Sequence, residues 1–275
     1  MIDSDLMLLC FIFVIVGLTV GAWFGLPVIV RSVQNRRIER ICRERKLIAL
    51  TFDDGPCPGM TEKVLDLLDE LQIKATFFVI GNLVRENDPL LDRIQRDGHH
   101  VASHTQHHLD CWKVGPIRGV RDFLEGVRTL RDRELAIQWF RPPKGNATLG
   151  TLLSCWLRGC KMIWWTHDSG DTGFGSGKSA MGLSEIVRKV IFGGRRVIPE
   201  DDVRRPEMRE DLLCSLEVMG GVVLLHDGER RHESCKELTL ECTRDIVNRA
   251  RRNDFQFVTL KELKQGEERL SMNGP

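Results

Sequence analysis

The feature that most constrains this chain is Leu6–Val30, a run of 25 residues without a charge. As a helix it is long enough to cross the roughly 30 Å hydrocarbon core of a bilayer with some tilt. A cleaved leader would carry a basic start, a shorter apolar stretch and a small-x-small site. Here the start is acidic, at Asp3 and Asp5, and the run ends Leu26-Pro27-Val28-Ile29-Val30. We therefore expect an uncleaved N-terminal transmembrane helix within residues 1–30. Gly17, Gly21 and Gly25 stand four residues apart. Such a ridge permits a weak homodimer through close helix approach, although glycine is also common in membrane helices generally.

Net charge has to be read in segments. The 275 residues hold 40 basic and 39 acidic side chains, for a formal +1. Residues 1–30 contribute −2 through Asp3 and Asp5. Residues 31–46 contribute +5, from Arg31, Arg36, Arg37, Arg40, Arg43, Arg45 and Lys46 against Glu39 and Glu44. The remaining 229 residues therefore total −2. A basic stretch directly after a membrane span predicts that residues 31–275 are cytoplasmic. The stretch itself is expected either as a helix along anionic headgroups or as a solvated juxtamembrane linker. Nine cysteines leave at least one thiol unpaired within the chain, which agrees with a reducing compartment. Nothing in the pattern calls for a nucleic-acid partner.

From Leu47 onward, short apolar runs alternate with amphipathic segments, the pattern of parallel β/α units. Strands are predicted at Leu47–Phe52, Ala75–Ile80, His100–Ser103, Gln138–Arg141, Lys161–Thr166, Gly221–His226 and Gln256–Leu260. Val64, Leu67, Leu68 and Leu71 follow helical spacing, as do Val120, Phe123, Leu124, Val127 and Leu130. The expected fold is a distorted (β/α) barrel with about seven strands over residues 47–265, followed by a polar tail at 266–275. Residues 172–210 read as an excursion between strands. With 42% hydrophobic and 29% charged residues the composition excludes a disordered chain, a collagen-like fibre and a disulfide scaffold.

Catalytic groups of β/α barrels lie at the carboxyl ends of strands. Here those ends carry Asp53-Asp54-Gly55-Pro56, His104-Thr105-Gln106-His107-His108, Arg141-Pro142-Pro143-Lys144-Gly145, Asp168-Ser169-Gly170-Asp171 and His226-Asp227. The i, i+4 spacing of His104 and His108 suggests two imidazoles on one side of a helical turn, a good metal bite. Each group alone has a bland reading, a solvated turn or an incidental histidine. Titratable groups at five successive strand ends make a poor coincidence.

These residues resemble the polysaccharide deacetylase family, which contains the NodB-like chitooligosaccharide deacetylases. Five family motifs occur in order at Thr51–Pro56, His104–His108, Arg141–Gly145, Asp168–Asp171 and Leu224–His226. The resemblance implies a divalent metal, commonly zinc, and hydrolysis of an N-acetyl group from an amino sugar. Position by position it implies Asp54, His104 and His108 as metal ligands, Asp53 as general base and Arg141 as its partner. It implies His226 as general acid, held by Asp171 or alternatively by Asp168. Pro143, Lys144, Gly145 and Leu224 fall in its substrate groove.

The chain departs from that pattern at Lys144, where the family usually has an aromatic residue, and at Thr172, where a Trp is common. Lys144 suits an anionic substrate or is simply a solvated surface lysine. With no tyrosine in the chain, Trp139, Trp164 and Trp165 are the remaining ring candidates, some of them core. Gly173–Ser179 misses a phosphate loop because Thr172 stands where glycine is needed. Cys155, Cys160, Cys235 and Cys242 lack C-x-x-C spacing and are expected as buried thiols, whereas Cys57 lies near the expected ligands. The leading expectation is a membrane-anchored deacetylase of an amino-sugar glycan or lipid-linked sugar. The alternatives are a non-catalytic glycan-binding or membrane-complex protein on the same fold, or a deformylase of a lipid-linked sugar.

Overall fold

Alternation along the central strand organises the molecule. In the computed structural model, described for residues 4–171, 213, 216, 219–229 and 233–265, β1 spans Leu47–Asp53. Its Ile48, Leu50 and Phe52 face one core and its Ala49 another, as the period of two requires. Seven further strands complete the sheet: β2 Thr76–Val79, β3 His100–Ser103, β4 Trp139–Phe140, β5 Lys161–Met162, β6 His167–Asp168, β7 Gly221–His226 and β8 Gln256–Phe257. Every pairing is parallel, in the order β5-β4-β3-β2-β1-β7-β6. β8 joins β1 at Leu47 and Ile48, ahead of Thr51 where β2 begins to pair.

The predicted strand Lys161–Thr166 is a correction. It divides because its two halves bond to different neighbours: Ile163 N–H donates to the Phe140 carbonyl, and Thr166 N–H to that of Val222. One extended stretch thus links the two open edges of the sheet, and the expected distorted (β/α) barrel of about seven strands is built from eight short ones among the described residues.

The helices whose full span is described are α1 Ser4–Arg45, α2 Thr61–Glu70, α3 Gly81–Glu86, α4 Asp88–Arg96, α5 Pro116–Arg131, α6 Leu149–Leu157 and α7 Glu233–Arg252. Val64, Leu67 and Leu68 of α2 and Phe123, Val127 and Leu130 of α5 are buried on the sheet's outer face, at the predicted spacing. The inner core joins Ala49, Phe78, Ala102, Trp139, Ile163 and Val222.

Helix α1 departs most from expectation. Residues 31–45, expected either as a headgroup helix or as a solvated linker, continue the preceding helix, and Ile38, Ile41 and Cys42 enter the inner core while Arg36, Arg37, Arg40 and Arg43 point away from it. Gln34 Nε2–H donates to the Met162 carbonyl and Asn35 Nδ2–H to the Trp165 carbonyl, both at 2.8 Å. Those carbonyls flank the point where the divided strand changes neighbours, so α1 satisfies backbone groups that the sheet leaves over. The other half of α1 is an exposed apolar helix, long and apolar enough to cross a membrane. Residues 172–210, including Thr172 and Gly173–Ser179, the Cys235 side chain and residues 266–275 lie outside the described residues.

Candidate active site

The inner face of β1 carries Ala49, Thr51 and Asp53 toward the carboxyl end of the sheet, where Asp53 is almost fully buried. Asp54 comes next in a left-handed conformation, φ 73°, uncommon outside glycine. That twist breaks the alternation, so that both neighbouring carboxylates reach the same mouth. Behind them Gly55 is required for space: a Cβ there would lie 2.3 Å from Asp227 Oδ2.

His104 continues the inward face of β3 from Ala102, and His108 lies in the loop after it, not in the helical turn expected from its spacing. Thr105 and His108 have φ of 70° and 56°, and these two reversals bring the imidazole centroids to 5.0 Å. Asp122 of α5 holds the loop by accepting from His107 N–H at 2.8 Å and Leu109 N–H at 3.1 Å. Close approach of α5 depends on Gly126, whose Cβ would lie 2.5 Å from the Thr105 carbonyl carbon.

Asp54 Oδ1 lies 3.3 Å from His104 Nε2 and 3.1 Å from His108 Nε2. His104 Nδ1 is 2.8 Å from the Arg141 carbonyl, to which it can only donate, so a neutral ring presents its lone pair at Nε2 toward Asp54. Asp54 Oδ1 is buried and has no hydrogen-bond partner among the described residues. One carboxylate oxygen and two imidazole nitrogens converging on one point are a donor set for a divalent metal that leaves positions open. The electrostatics agree. Burial pushes Asp54 up, but His104, His108 and His226 outweigh it and hold the carboxyl well below the usual range. Burial likewise opposes charge on His104, yet Asp53, Asp54 and the Arg141 carbonyl raise its affinity for a proton. A field that attracts a proton attracts a metal ion. Cys57 is outside this group. Its thiol is pushed up by burial and by Asp227.

Arg141 is fully buried at the end of β4, and its Nη1 donates to Asp53 Oδ1 and to Thr51 Oγ1, both at 2.7 Å. Burial lowers its pKa and Asp53 offsets this only in part. On the opposite side, His226 comes after Val222 and Leu224 on the inward face of β7 and is paired in register with Asp53. Its Nδ1–H donates to Asp171 Oδ1 at 2.7 Å and its backbone N–H to Asp171 Oδ2 at 2.9 Å. Thr239 of α7 donates to the same Oδ2 at 2.8 Å. Asp168 does not reach His226 in this way: it is exposed and accepts from Gly170 N–H at 3.0 Å.

Of the groove residues, Pro143 and Gly145 are buried in a single helical turn, whereas Lys144 is exposed with Nζ 4.0 Å from Asp110 Oδ2. Leu224 is buried on β7 opposite Thr51. Trp139 and Trp164 are core, and only Trp165 is partly open. Sequence reasoning missed Thr51, although its i, i+2 relation to Asp53 on a strand marks the shared face. It also missed Asp122 and Thr239, for which helix spacing holds no signal.

Comparison with known proteins finds that residues 40–154 match the family model described as polysaccharide deacetylase. The chain is 27% identical over 218 residues to a peptidoglycan-N-acetylglucosamine deacetylase of Bacillus cereus, covering 79% of this chain and 88% of that one. It is 32% identical over 183 residues to a chitooligosaccharide deacetylase of Sinorhizobium fredii, covering 66% and 72%. In fold it is similar to the crystal structure of the Xyl-CE4 domain of a multidomain xylanase from the hindgut metagenome of Trinervitermes trinervoides. The TM-score is 0.59 at 23% identity, over 82% of this chain and 92% of that one.

Proposed function

The chain belongs to the polysaccharide deacetylase family, and from that membership we propose that it is a metal-dependent hydrolase of N-acetyl groups on a membrane-proximal amino-sugar glycan or lipid-linked sugar. One observation carries the reading. Asp53, Asp54, His104, His108, Arg141, Asp171 and His226 meet at one end of the sheet, already wired into a cation cradle and two hydrogen-bonded carboxylates.

Asp54, His104 and His108 would hold the metal, with zinc suited to this nitrogen and oxygen set. When bound, such an ion polarises an amide oxygen and lowers the pKa of water beside it. Asp53 acts as general base, taking the proton of the water that adds to the acetyl carbon. Arg141 sets a positive charge beside the two neighbouring carboxylates and fixes the orientation of Asp53 through the Nη1 hydrogen bond. His226 gives its proton to the nitrogen as the carbon–nitrogen bond breaks, releasing acetate and the free amine. Asp171, locked by His226 N–H and Thr239, holds the ring in the tautomer that leaves Nε2 to transfer the proton. Lys144, with Pro143, Gly145 and Leu224, borders the substrate groove, and its charge suits a phosphate-bearing sugar.

In this reading the apolar half of α1 is the membrane anchor and the barrel lies on the cytoplasmic side, a reading that the basic residues 31–46 support. Gly17, Gly21 and Gly25 leave open surface for a second such helix. Acetate release from N-acetylglucosamine oligomers with and without added divalent metal tests the chemistry, and full activity in metal-loaded Asp53→Asn would remove Asp53 as base. Protease accessibility in intact cells tests the side: cleavage of the barrel from outside overturns the cytoplasmic assignment.

A further inference from the structure

Helix α1 is tied to both ends of the sheet. At its C-terminus the Cys42 carbonyl lies beside Gly220, where a Cβ would approach it to 3.1 Å, and Lys46 reverses the chain into β1. These are the strand starts. At its middle, Trp23 lies against Gly150, where a Cβ would meet the ring at 2.9 Å, and Phe24 meets Trp112 edge-on at 5.8 Å. Trp112 in turn donates from Nε1 to the Ala147 carbonyl at 2.8 Å. Residues 112, 147 and 150 belong to the segments after β3 and β4, the same segments that carry His104–His108 and Arg141–Gly145. From Cys42 back to Trp23, α1 therefore ascends from the strand starts to the catalytic mouth. Its remaining apolar residues, Met7–Val20, are exposed and continue past that mouth for about 20 Å at ~1.5 Å per residue.

Two neighbouring surfaces mark a boundary. On α1 the exposed Leu26, Ile29 and Val33 give way to Arg36, Arg37 and Arg40. On α6, which starts at the mouth beside Trp23 and leads down to β5, the exposed Leu153, Trp156 and Leu157 give way to Arg158. Both helices run away from the mouth, and both change from apolar to arginine. An exposed tryptophan at such a change, with arginines just beyond it, is the chemistry of a headgroup layer.

We propose that the catalytic mouth opens onto the bilayer that holds α1, with Leu153, Trp156 and Leu157 of α6 seated in its interfacial layer, so that the amino sugar arrives on a lipid carrier. The proposal rests on the reading of α1 as a membrane span and of the mouth as a deacetylase site. A polymer approaching from bulk water meets the membrane before it meets the mouth. With α1 and α6 lying side by side along the headgroup layer, a sugar linked to a lipid through phosphate is presented beside the mouth, and its phosphate is the anion that Lys144 suits.

The test uses the full chain in phosphatidylcholine–phosphatidylglycerol vesicles, with a benzophenone amino acid replacing Lys113 at the mouth, Trp156 on α6 or Asp254 at the strand starts. The expected result is lipid adducts from positions 113 and 156 and none from 254. Adducts from 254 alone, or a chain that does not float with the vesicles, would overturn the orientation. In the same vesicles, polyprenyl-phosphate-linked N-acetylglucosamine should be deacetylated with kcat/KM at least about tenfold above that for a soluble N-acetylglucosamine oligomer, because enzyme and substrate share one surface. Equal rates, with adducts as expected, would overturn the lipid carrier while leaving the orientation. Hydrolysis of neither substrate by metal-loaded protein would remove the deacetylase reading, and the adduct pattern would still decide which face meets the bilayer.

Discussion

Two clusters at the mouth use the same residue types and are wired in opposite ways. In the Asp54–His104–His108 cluster, a buried carboxylate oxygen faces two imidazole nitrogens at 3.3 and 3.1 Å without a hydrogen bond. In the Asp171–His226 cluster the carboxylate accepts three hydrogen bonds from the described residues, from His226 Nδ1, His226 N–H and Thr239 Oγ1, at 2.7 to 2.9 Å. The first collects acceptors around a space and is suited to a cation. The second surrounds its carboxylate with donors and is suited to hold one ring in one tautomer. Residue identity alone does not distinguish them; the direction of the donors does.

The sharpest way to break this contrast is to exchange the roles. Asp54→Asn should lower zinc affinity about 100-fold or more by competition with a chelator, and acetate release should fall by orders of magnitude with it. Asp171→Asn should keep full zinc stoichiometry while kcat falls by roughly 10²–10⁴. Loss of metal from the Asp171 variant, or its retention at wild-type affinity in the Asp54 variant, would erase the distinction. Asp53→Asn, between the clusters, should also keep its metal and lose a similar factor in kcat, as measured by single-turnover acetate release. Thr239→Val removes one of three donors to Asp171. It should cost about 1 kcal/mol in urea unfolding and lower kcat by roughly tenfold with zinc content unchanged.

A smaller effect comes from the other end of β3. Burial pushes His99 down to about 4, the opposite direction from His104, because Lys74 and Arg93 add to the burial while Asp97 and Asp69 offset it only in part. Its folded pKa is depressed, so the unfolded state binds the proton more readily below pH 6.5. Stability is full above that pH and is lost as pH falls toward 4, by about 1–2 kcal/mol at pH 5. Urea midpoints between pH 7 and 5 should fall in the wild type and fall less in His99→Gln. Equal slopes would show that His99 does not report the difference between the two ends of the strand.

The strands and the amphipathic helices α2 and α5 were legible because alternation and helical spacing are local properties, as in Leu47–Phe52 and Val64–Leu71. The identities of the mouth residues were legible too, since strand ends can be read from the same pattern. Three things were not. The split of Lys161–Thr166 depends on which neighbours its two halves find. The His104–His108 loop depends on left-handed residues at Thr105 and His108, which the i, i+4 spacing misrepresented as a helical turn. The burial of Ile38, Ile41 and Cys42 was hidden inside a basic stretch, where charge count outweighed the i, i+3, i+4 apolar stripe.

By itself the sequence determined that this chain has an apolar helix, a β/α alternation and a set of carboxylates and imidazoles at strand ends, because each arises from periodicity or composition over a short window. Only the tertiary structure decided that α1 runs into the fold as one helix, rising from the strand starts past the mouth, and that Asp54 faces two imidazole nitrogens while Asp171 accepts from three donors among the described residues. Both depend on contacts between residues far apart in the chain, Asn35 with Trp165 and Thr239 with Asp171 among them. No local pattern encodes which distant group a side chain will meet.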